Sequence, residues 1–410
     1  MNDRPLNGIR VLDLTRVLAG PHATRTLCDL GAEVIKVEPP DGDITRTTFP
    51  RINSMASYFA QQNSGKRCIS IDLDHAAGRD LLLRLVDRCD VVVENFRPGV
   101  MDRLGFGWDI VRGRNPRLIL ASVSGNGQTG PWVHRRAYAP VVGAETGLTK
   151  SQGDARQRTG QALRYTNDPH SHADAYTALE LVAAVLAALY QRERTGHGDR
   201  IDVSMAQTML YVNEHAHDHL WDRPVPDGVI RSFRPMDYPV LTAANGESVV
   251  ISGHPAENKT FDFYMATIGR PELCADPRFA DTASRLAHLQ DIHDVLHEWA
   301  ATIPSADAIE DAASRNRLAV GRLRSVRDVC ATDWAESREV VSHISDRGDG
   351  TMRVPNTPWR FAGSDVRVDG EARYRGEDNR AVLAELLELD DATLDALEAD
   401  GVLSSRLPAP

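Results

Sequence analysis

"GIRVLDLTRVLAGPHATRTLCDLGAEVIKVE", residues 8–38, holds two β-rich runs, IRVLDL and EVIKVE, on either side of a helix-length stretch, HATRTLCDLGA. Two strands separated by a helix require a crossover, and crossovers join parallel neighbours. The alternation continues to about residue 125, with CISIDL, AAGRDLLLRLVDRC, DVVVENF and RLILASV following in turn. The pattern predicts a doubly wound α/β domain, a mostly parallel sheet covered by helices.

Further along, Asp174 stands ahead of a long apolar run that predicts a helix to about Arg194, closed by Gly196 and Gly198. RIDVSM then supplies another strand. Residues 223–237 carry prolines and no clean period, which reads as a linker. From Tyr238 the texture changes: YPVLTAANGESVVISG reads as a hairpin turning at Asn245-Gly246, followed by helices to about Arg324. The expected organisation is a large domain over 1–222, the linker, a smaller α+β domain over 238–325, and a return segment, 326–410, that completes the large domain.

A chain of 410 residues with 42% apolar and 26% charged residues can bury a substantial core. Its formal net charge of −11 repels polyanions and argues against nucleic acid as a partner. The longest apolar run, Leu179 to Tyr190, falls short of the roughly 18–20 residues of a membrane span. The opening residues lack a signal-type apolar core, so a cytoplasmic location is expected. Five scattered cysteines without CxxC spacing imply reduced thiols rather than a disulfide framework or a zinc site.

Several local motifs fail their physical context. Gly125, Gly127 and Gly130 have GxGxxG spacing after RLILASV, but Pro131 and Trp132 follow where a dinucleotide motif needs a helix N-terminus. A glycine-rich loop at the carboxyl end of a strand is still a good ligand wall. NSGKRC is half a phosphate-binding loop, with Arg67 in place of the required hydroxyl. His170, His172 and Asp174 alternate and would point one way in a strand, yet one local cluster without further ligands seldom binds metal, and none is expected. Asp174 itself has two readings on local grounds, as a helix N-cap or as a reactive carboxylate.

Four long segments, in order, carry a resemblance. They are GIRVLDLTRVLAGPHATRTLCDLGAEVIKVEPPDGDITR, YFAQQNSGKRCISIDL, ENFRPGVMDRLGFGWDIVRGRNPRLILASVSGNGQTGP and LAALYQRERTGHGDRIDVSM. Together they resemble the family III coenzyme A transferases, the group that includes formyl-CoA transferase, carnitine CoA-transferase and α-methylacyl-CoA racemase. The resemblance implies a Rossmann-like large domain built from both chain ends, a smaller domain between them, and two chains threaded as interlocked rings in a homodimer. The family's nucleophilic aspartate lies fifteen residues before the second leucine of the LAAL segment. Asp174 stands fifteen before Leu189, and Asp168 falls out of register.

By this resemblance Asp174 moves coenzyme A between an acyl-CoA thioester and a carboxylic acid through an aspartyl anhydride and an aspartyl-CoA thioester. No cofactor is implied, because the coenzyme A thioester is a substrate. Backbone N–H groups of the loop at Gly125 and Gly127 would stabilise the oxyanions. Arg103 and Arg136 take phosphate- or nucleotide-contacting positions, and Leu18, Ala19, Ile71, Asn95, Phe96 and Tyr138 lie along the coenzyme path. Arg112, Arg114 and Arg117 read as solvated surface cations.

The chain departs from the pattern in several places. Tyr138 stands where the racemase branch has a catalytic histidine, and a tyrosine is a poor proton shuttle at neutral pH. Ala139 replaces the acid that transferases resembling formyl-CoA transferase keep there. Residues 222–237 contain one glycine where those enzymes have a glycine-rich loop, and Pro39 replaces a basic residue. These departures predict an acyl pocket unlike that for formate or oxalate. An acyl-CoA racemase or isomerase on the same fold, and a non-catalytic CoA-binding subunit of a hetero-oligomer, are the alternative readings.

Overall fold

The computed structural model describes residues 4–158, 162–224 and 233–406. Along the first half run β1 (Arg10–Asp13), α1 (Ala19–Asp29), β2 (Glu33–Glu38), α2 (Ser57–Asn63), β3 (Arg67–Ser70), α3 (Ala76–Val86), β4 (Val91–Glu94), α4 (Val100–Leu104), α5 (Trp108–Arg114) and β5 (Ile119–Ser124). Then come α6 (Ala139–Glu145), α7 (Leu148–Arg158), α8 (His172–Thr195), β6 (Arg200–Ser204) and α9 (Met205–Tyr211).

The six strands form one sheet in the order β3-β2-β1-β4-β5-β6, with every pairing parallel. This is the strand order of a doubly wound sheet, and its direction of winding reverses between β1 and β4. Runs such as VVVE and ILASVS are buried along their whole length, as parallel strands covered on both faces must be. Leu12, Ile35, Ile69, Val92 and Leu120 of the sheet pack with Leu82, Leu85, Val382 and Leu386 into one core cluster.

Two compact units make up the chain. The first comprises residues 1–147, 167–212 and 333–410, and the second 148–166 and 213–332. In the first, the C-terminal segment adds a hairpin of Val341–Ser345 and Thr351–Pro355 and two helices, Asn379–Leu387 and Asp391–Ala399. It covers the edge strand β3: the Asp378 carboxylate and the Asn379 amide each accept a β3 N–H, from Cys68 and Ser70, at 2.8 Å. An open edge is thereby closed by side chains of a segment about 310 residues away.

The second unit has a three-stranded antiparallel sheet, with β8 (Ser248–Ser252) between β7 (Val240–Thr242) and β9 (Ala319–Arg322), and a core around Leu241, Ile251, Phe261, Tyr264 and Leu296. Residues 148–166 and 213–222, assigned from sequence to the large domain, group with this unit, and the return segment begins at 333 rather than 326. The local pattern of residues 148–166 carries no information about which core they pack against. Of the linker 223–237, residues 225–232 lie outside the described residues.

Among the described residues α8 alone is long and apolar enough, by length and composition, to cross a membrane, reaching a mean hydropathy of 1.4. A helix packed in a protein core passes the same test. The helix is apolar on two sides. Ala178, Leu181, Val182 and Val185 are buried, whereas Tyr176, Leu179, Leu186 and Tyr190 are 37–69% exposed.

Candidate active site

A cleft of about 420 Å³ opens at the carboxyl ends of β1, β4, β5 and β6, at the point where the strand order reverses. Open α/β sheets bind ligands at this place because the loops leaving β1 and β4 diverge to opposite faces and leave a crevice. Arg16, Val17 and Ala19 reach it from the β1 loop, and Asn95, Phe96 and Arg97 from the β4 loop. Ser124, Gly125 and Asn126 follow β5, Arg135 to Tyr138 form an outer wall, and Asp174 enters from α8.

Asp174 occupies the third position of α8, and Ser171 is the N-cap, without a side-chain capping bond. Asp174 is therefore not the N-cap, although it remains in the first turn, beside the N–H groups of its own helix end. It lines the cleft with Ala19, the first residue of α1, and the backbone N–H groups of Ala19 and of Asp174 itself favour its ionised form. Two helix N-termini thus meet on one carboxyl group, each favouring the anion. Burial opposes them and prevails, raising the Asp174 pKa to about 6. At pH 7 such a group is ionised by about ten to one, so it is a better base than an exposed aspartate and still an anion. The α2 hydroxyl of Tyr58 is close enough that burial first, and then the Asp174 charge, raise its pKa.

The loop from β1 to α1 is tied by side chains. Thr15 N–H donates to Asp13 Oδ1 at 2.9 Å, Arg16 N–H to Asn95 Oδ1 at 2.9 Å, and Val17 N–H to Asp43 Oδ2 at 3.2 Å. Asn95 Nδ2 returns a bond to the Arg16 carbonyl at 2.8 Å, and Lys36 Nζ donates to the Thr15 carbonyl at 2.8 Å. Behind this loop lies a fully buried ion network in which Lys66 meets Asp13 at 3.0 Å and Lys36 meets Asp43 at 3.2 Å. Burial alone would raise the Asp13 pKa, but Lys66, Lys36 and the hydroxyls of Thr15 and Thr24 outweigh it and bring it to about 2.

Glu94, the last residue of β4, is buried and accepts the Phe96 N–H at 2.8 Å. Burial pushes its pKa up to about 7, against the hydrogen bonds from Ser122 and Phe96. The glycine loop approaches the outer wall closely, since a Cβ on Gly125 would lie 2.0 Å from that of Ala137. The Gln128 N–H donates to Asp202 at 2.8 Å. Ser124 Oγ and both amide atoms of Asn126 are buried without a hydrogen-bond partner among the described residues. Polar groups left this way in a cleft wall are available to a ligand.

Of the residues singled out from sequence, the structure brings Asp174, Ala19, Asn95, Phe96, Gly125, Arg136 and Tyr138 to one cleft. Ile71 is not among them. It is fully buried in the core, paired through its backbone with Leu403, because the C-terminal segment covers the end of β3. Arg103 sits exposed on α4 outside the cleft wall, which Arg97 and Arg16 supply instead, since the chain turns away at Pro98-Gly99. Leu18 is the N-cap of α1, and Gly127 lies beyond the wall. His172 belongs to the first turn of α8, pairs with Asp168 at 2.6 Å and stacks on Tyr176. The strand-like alternation of His170, His172 and Asp174 is thus a false spacing, because helical residues two apart do not share a face. Arg16, Tyr58, Glu94 and Asn126 were missed, although Tyr58 lies in the quoted YFAQQNSGKRC segment.

Residues 6–379 match the family model described as CoA-transferase family III. Among curated proteins the chain is 32% identical to a formyl-CoA:oxalate CoA-transferase of Streptomyces coelicolor, over 98% of this chain and all of the relative. It is 35% identical to an acetyl-CoA:oxalate CoA-transferase of Acetobacter aceti, over 88% and 90% of the two chains. A probable fatty acyl-CoA transferase of Mycobacterium tuberculosis is 34% identical over 93% and 98%. A crystal structure of that mycobacterial protein superposes with a TM-score of 0.79 at 31% identity, covering 93% of this chain and 99% of the other. A Brucella suis protein of the CAIB/BAIF family gives the same score and identity, over 94% and 100%.

Proposed function

The chain belongs to CoA-transferase family III, and on that premise we propose that this enzyme transfers coenzyme A from an acyl-CoA thioester to a carboxylic acid by covalent catalysis on Asp174. The observation that carries the reading is the place of that carboxylate: inside the switch-point cleft, beside the start of α1, with a pKa of about 6.

The steps balance without ATP, metal or resident cofactor, because one thioester replaces another. An Asp174 oxygen attacks the donor thioester carbonyl, the C–S bond breaks, and coenzyme A leaves as a thiolate, with the mixed anhydride remaining. The thiolate attacks the aspartyl carbonyl, giving an aspartyl-CoA thioester and the donor acid. The acceptor carboxylate then attacks that thioester and expels the thiolate. Attack of the thiolate on the acceptor acyl carbonyl yields the new acyl-CoA and restores the Asp174 carboxylate. Backbone N–H groups at Gly125 and the unpaired Asn126 amide are suited to the transient oxyanions. Arg16, Arg97, Arg135 and Arg136 give an acidic protein a local cationic wall for the coenzyme phosphates.

We read the assembly as a homodimer of interlocked chains, working in the cytoplasm. The exposed apolar residues Tyr176, Leu179, Leu186 and Tyr190 on one side of α8 support a partner chain there. Two of the named relatives are, by name, formyl-CoA:oxalate and acetyl-CoA:oxalate CoA-transferases. Ala139 and the low glycine content of residues 222–237 separate this chain's acyl pocket from the formate and oxalate type.

The test is hydroxylamine trapping during turnover with a panel of acyl-CoA donors and acids, followed by peptide mass spectrometry. A hydroxamate on Asp174, with no transfer by Asp174→Ala, is expected. Transfer at full rate by that variant refutes the proposal. Incorporation of solvent deuterium at the acyl α-carbon without an acceptor would replace it with the isomerase reading.

A further inference from the structure

We infer that Asn95 is a positioning residue: its side-chain amide, closed on both backbone groups of Arg16, holds the strained β1–α1 loop so that the Ala19 N–H stays on the Asp174 carboxylate. Val17, in the middle of that loop, has φ 72. A β-branched residue in the left-handed region is strained by its Cβ and persists only where the surroundings over-determine it.

Here they do. Asn95 accepts the Arg16 N–H at 2.9 Å and donates to the Arg16 carbonyl at 2.8 Å, a pairing that imitates one rung of a β-ladder. Asp43 takes the Val17 N–H, and Lys36 the Thr15 carbonyl. Two residues beyond Val17, Ala19 lines the same cleft as Asp174, and its N–H favours the ionised carboxylate. Without the Asn95 rung the strain at Val17 can relax, and relaxation carries the start of α1 away from the carboxylate. The resemblance sets Asn95 on the coenzyme path. The geometry commits its amide to Arg16 instead, and the effect on Asp174 is indirect.

Other groups around Asp174 are Tyr58 from α2, Arg16 and Arg97 from the strand loops, and Arg135, Arg136 and Tyr138 from the outer wall. The Arg16 guanidinium is held separately, donating to the Gly42 carbonyl at 3.0 Å. Its charge therefore does not depend on the Asn95 rung.

The inference draws on the proposed function only for its catalytic consequence, and its test has a readout that needs no activity. The Asp174 protonation midpoint is measured directly in the folded protein by a 13C-carboxyl NMR titration, the resonance being assigned by its absence from the Asp174→Asn variant. It is compared in wild-type, Asn95→Ala and Asn95→Ser backgrounds. With the Ala19 N–H lost, the anion loses a donor, so the midpoint rises from about 6 by about one pH unit, a tenfold gain in proton affinity. The acid limb of kcat/KM moves with it. Val17→Gly added to Asn95→Ala brings the midpoint part of the way back, since glycine takes a positive φ without strain.

A midpoint that stays put in both variants overturns the inference. Should Asn95→Ala fail to fold, the uncharged Asn95→Ser, too short to close on both Arg16 groups, adds no charge beside Asp174, and its midpoint decides. Absence of transferase activity would remove the covalent mechanism and leave the midpoint comparison intact.

Discussion

Replacing the Asp174 carboxylate with its isosteric amide separates catalysis from stability. The folded-state pKa is raised from 3.8 to about 6, so burial makes the ionised form less stable in the folded protein than in the unfolded chain. For a raised pKa the sign is definite. Below about pH 4 the group is neutral in both states and costs nothing; between 4 and 6 the unfolded chain ionises first; above 6 the whole cost is present. At about 1.4 kcal/mol per pKa unit the limit is about 3 kcal/mol. Partial exposure of the side chain screens this to about 1–2 kcal/mol.

Asp174→Asn keeps an oxygen for the Ala19 N–H and discards the charge. It is expected to melt roughly 2–4 °C higher than wild type at pH 8 and to lose that advantage at pH 4, while transferring no coenzyme A. Thermal melts across pH 4–8, with activity measured on the same preparations, check it. A variant that melts lower than wild type at pH 8, or whose gain is the same at pH 4, would refute the argument that desolvation governs this carboxyl group.

The buried Asp13 makes the opposite case, since its pKa is depressed to about 2. Its contribution to stability is full above about pH 4 and disappears as pH falls toward 2. Asp13→Asn also strands the fully buried Lys66 ammonium, so a loss of roughly 3–5 kcal/mol at pH 7, narrowing below pH 4, is expected in denaturant titrations. Asn126→Ala removes an amide with no partner among the described residues. It should leave the melting temperature within about 1–2 °C while lowering kcat/KM by about tenfold or more, measured by steady-state kinetics. Gly125→Ala forces a Cβ into Ala137, so the outer wall must shift, and KM for acyl-CoA should rise while the fold is retained. A Leu186→Glu substitution on the exposed apolar side of α8 should weaken self-association, read as mass by light scattering.

The glycine loop shows how local and tertiary information divide. Its GxGxxG spacing suggested a dinucleotide site, and the residues after it withdrew the suggestion, all within a window of a few positions. What the loop does, pressing Gly125 against Ala137 beside Asn126, depends on a segment folding back from residues 133–138. Asp174 follows the same division. The fifteen-residue register singled it out, but its environment comes from α1, about 155 residues earlier, and could not be read from its neighbours. Arg103 and Arg97 are both cations in one short segment, and only the turn after β4 decides which one faces the cleft.

The amino-acid sequence by itself determined the parallel α/β architecture, the hairpin of the second unit and the end of α8 at Gly196. Each of these is set by interactions within one or two turns or by a run of strand length, which hydrophobic period and turn residues report directly. Tertiary structure alone decided that Ile71 is sealed in the core, that residues 148–166 join the second unit, and that Asn95 pairs with both backbone groups of Arg16. Those contacts join groups some 80 to 330 residues apart along the chain. They exist because the winding of the sheet reverses between β1 and β4, a global property that no local window contains.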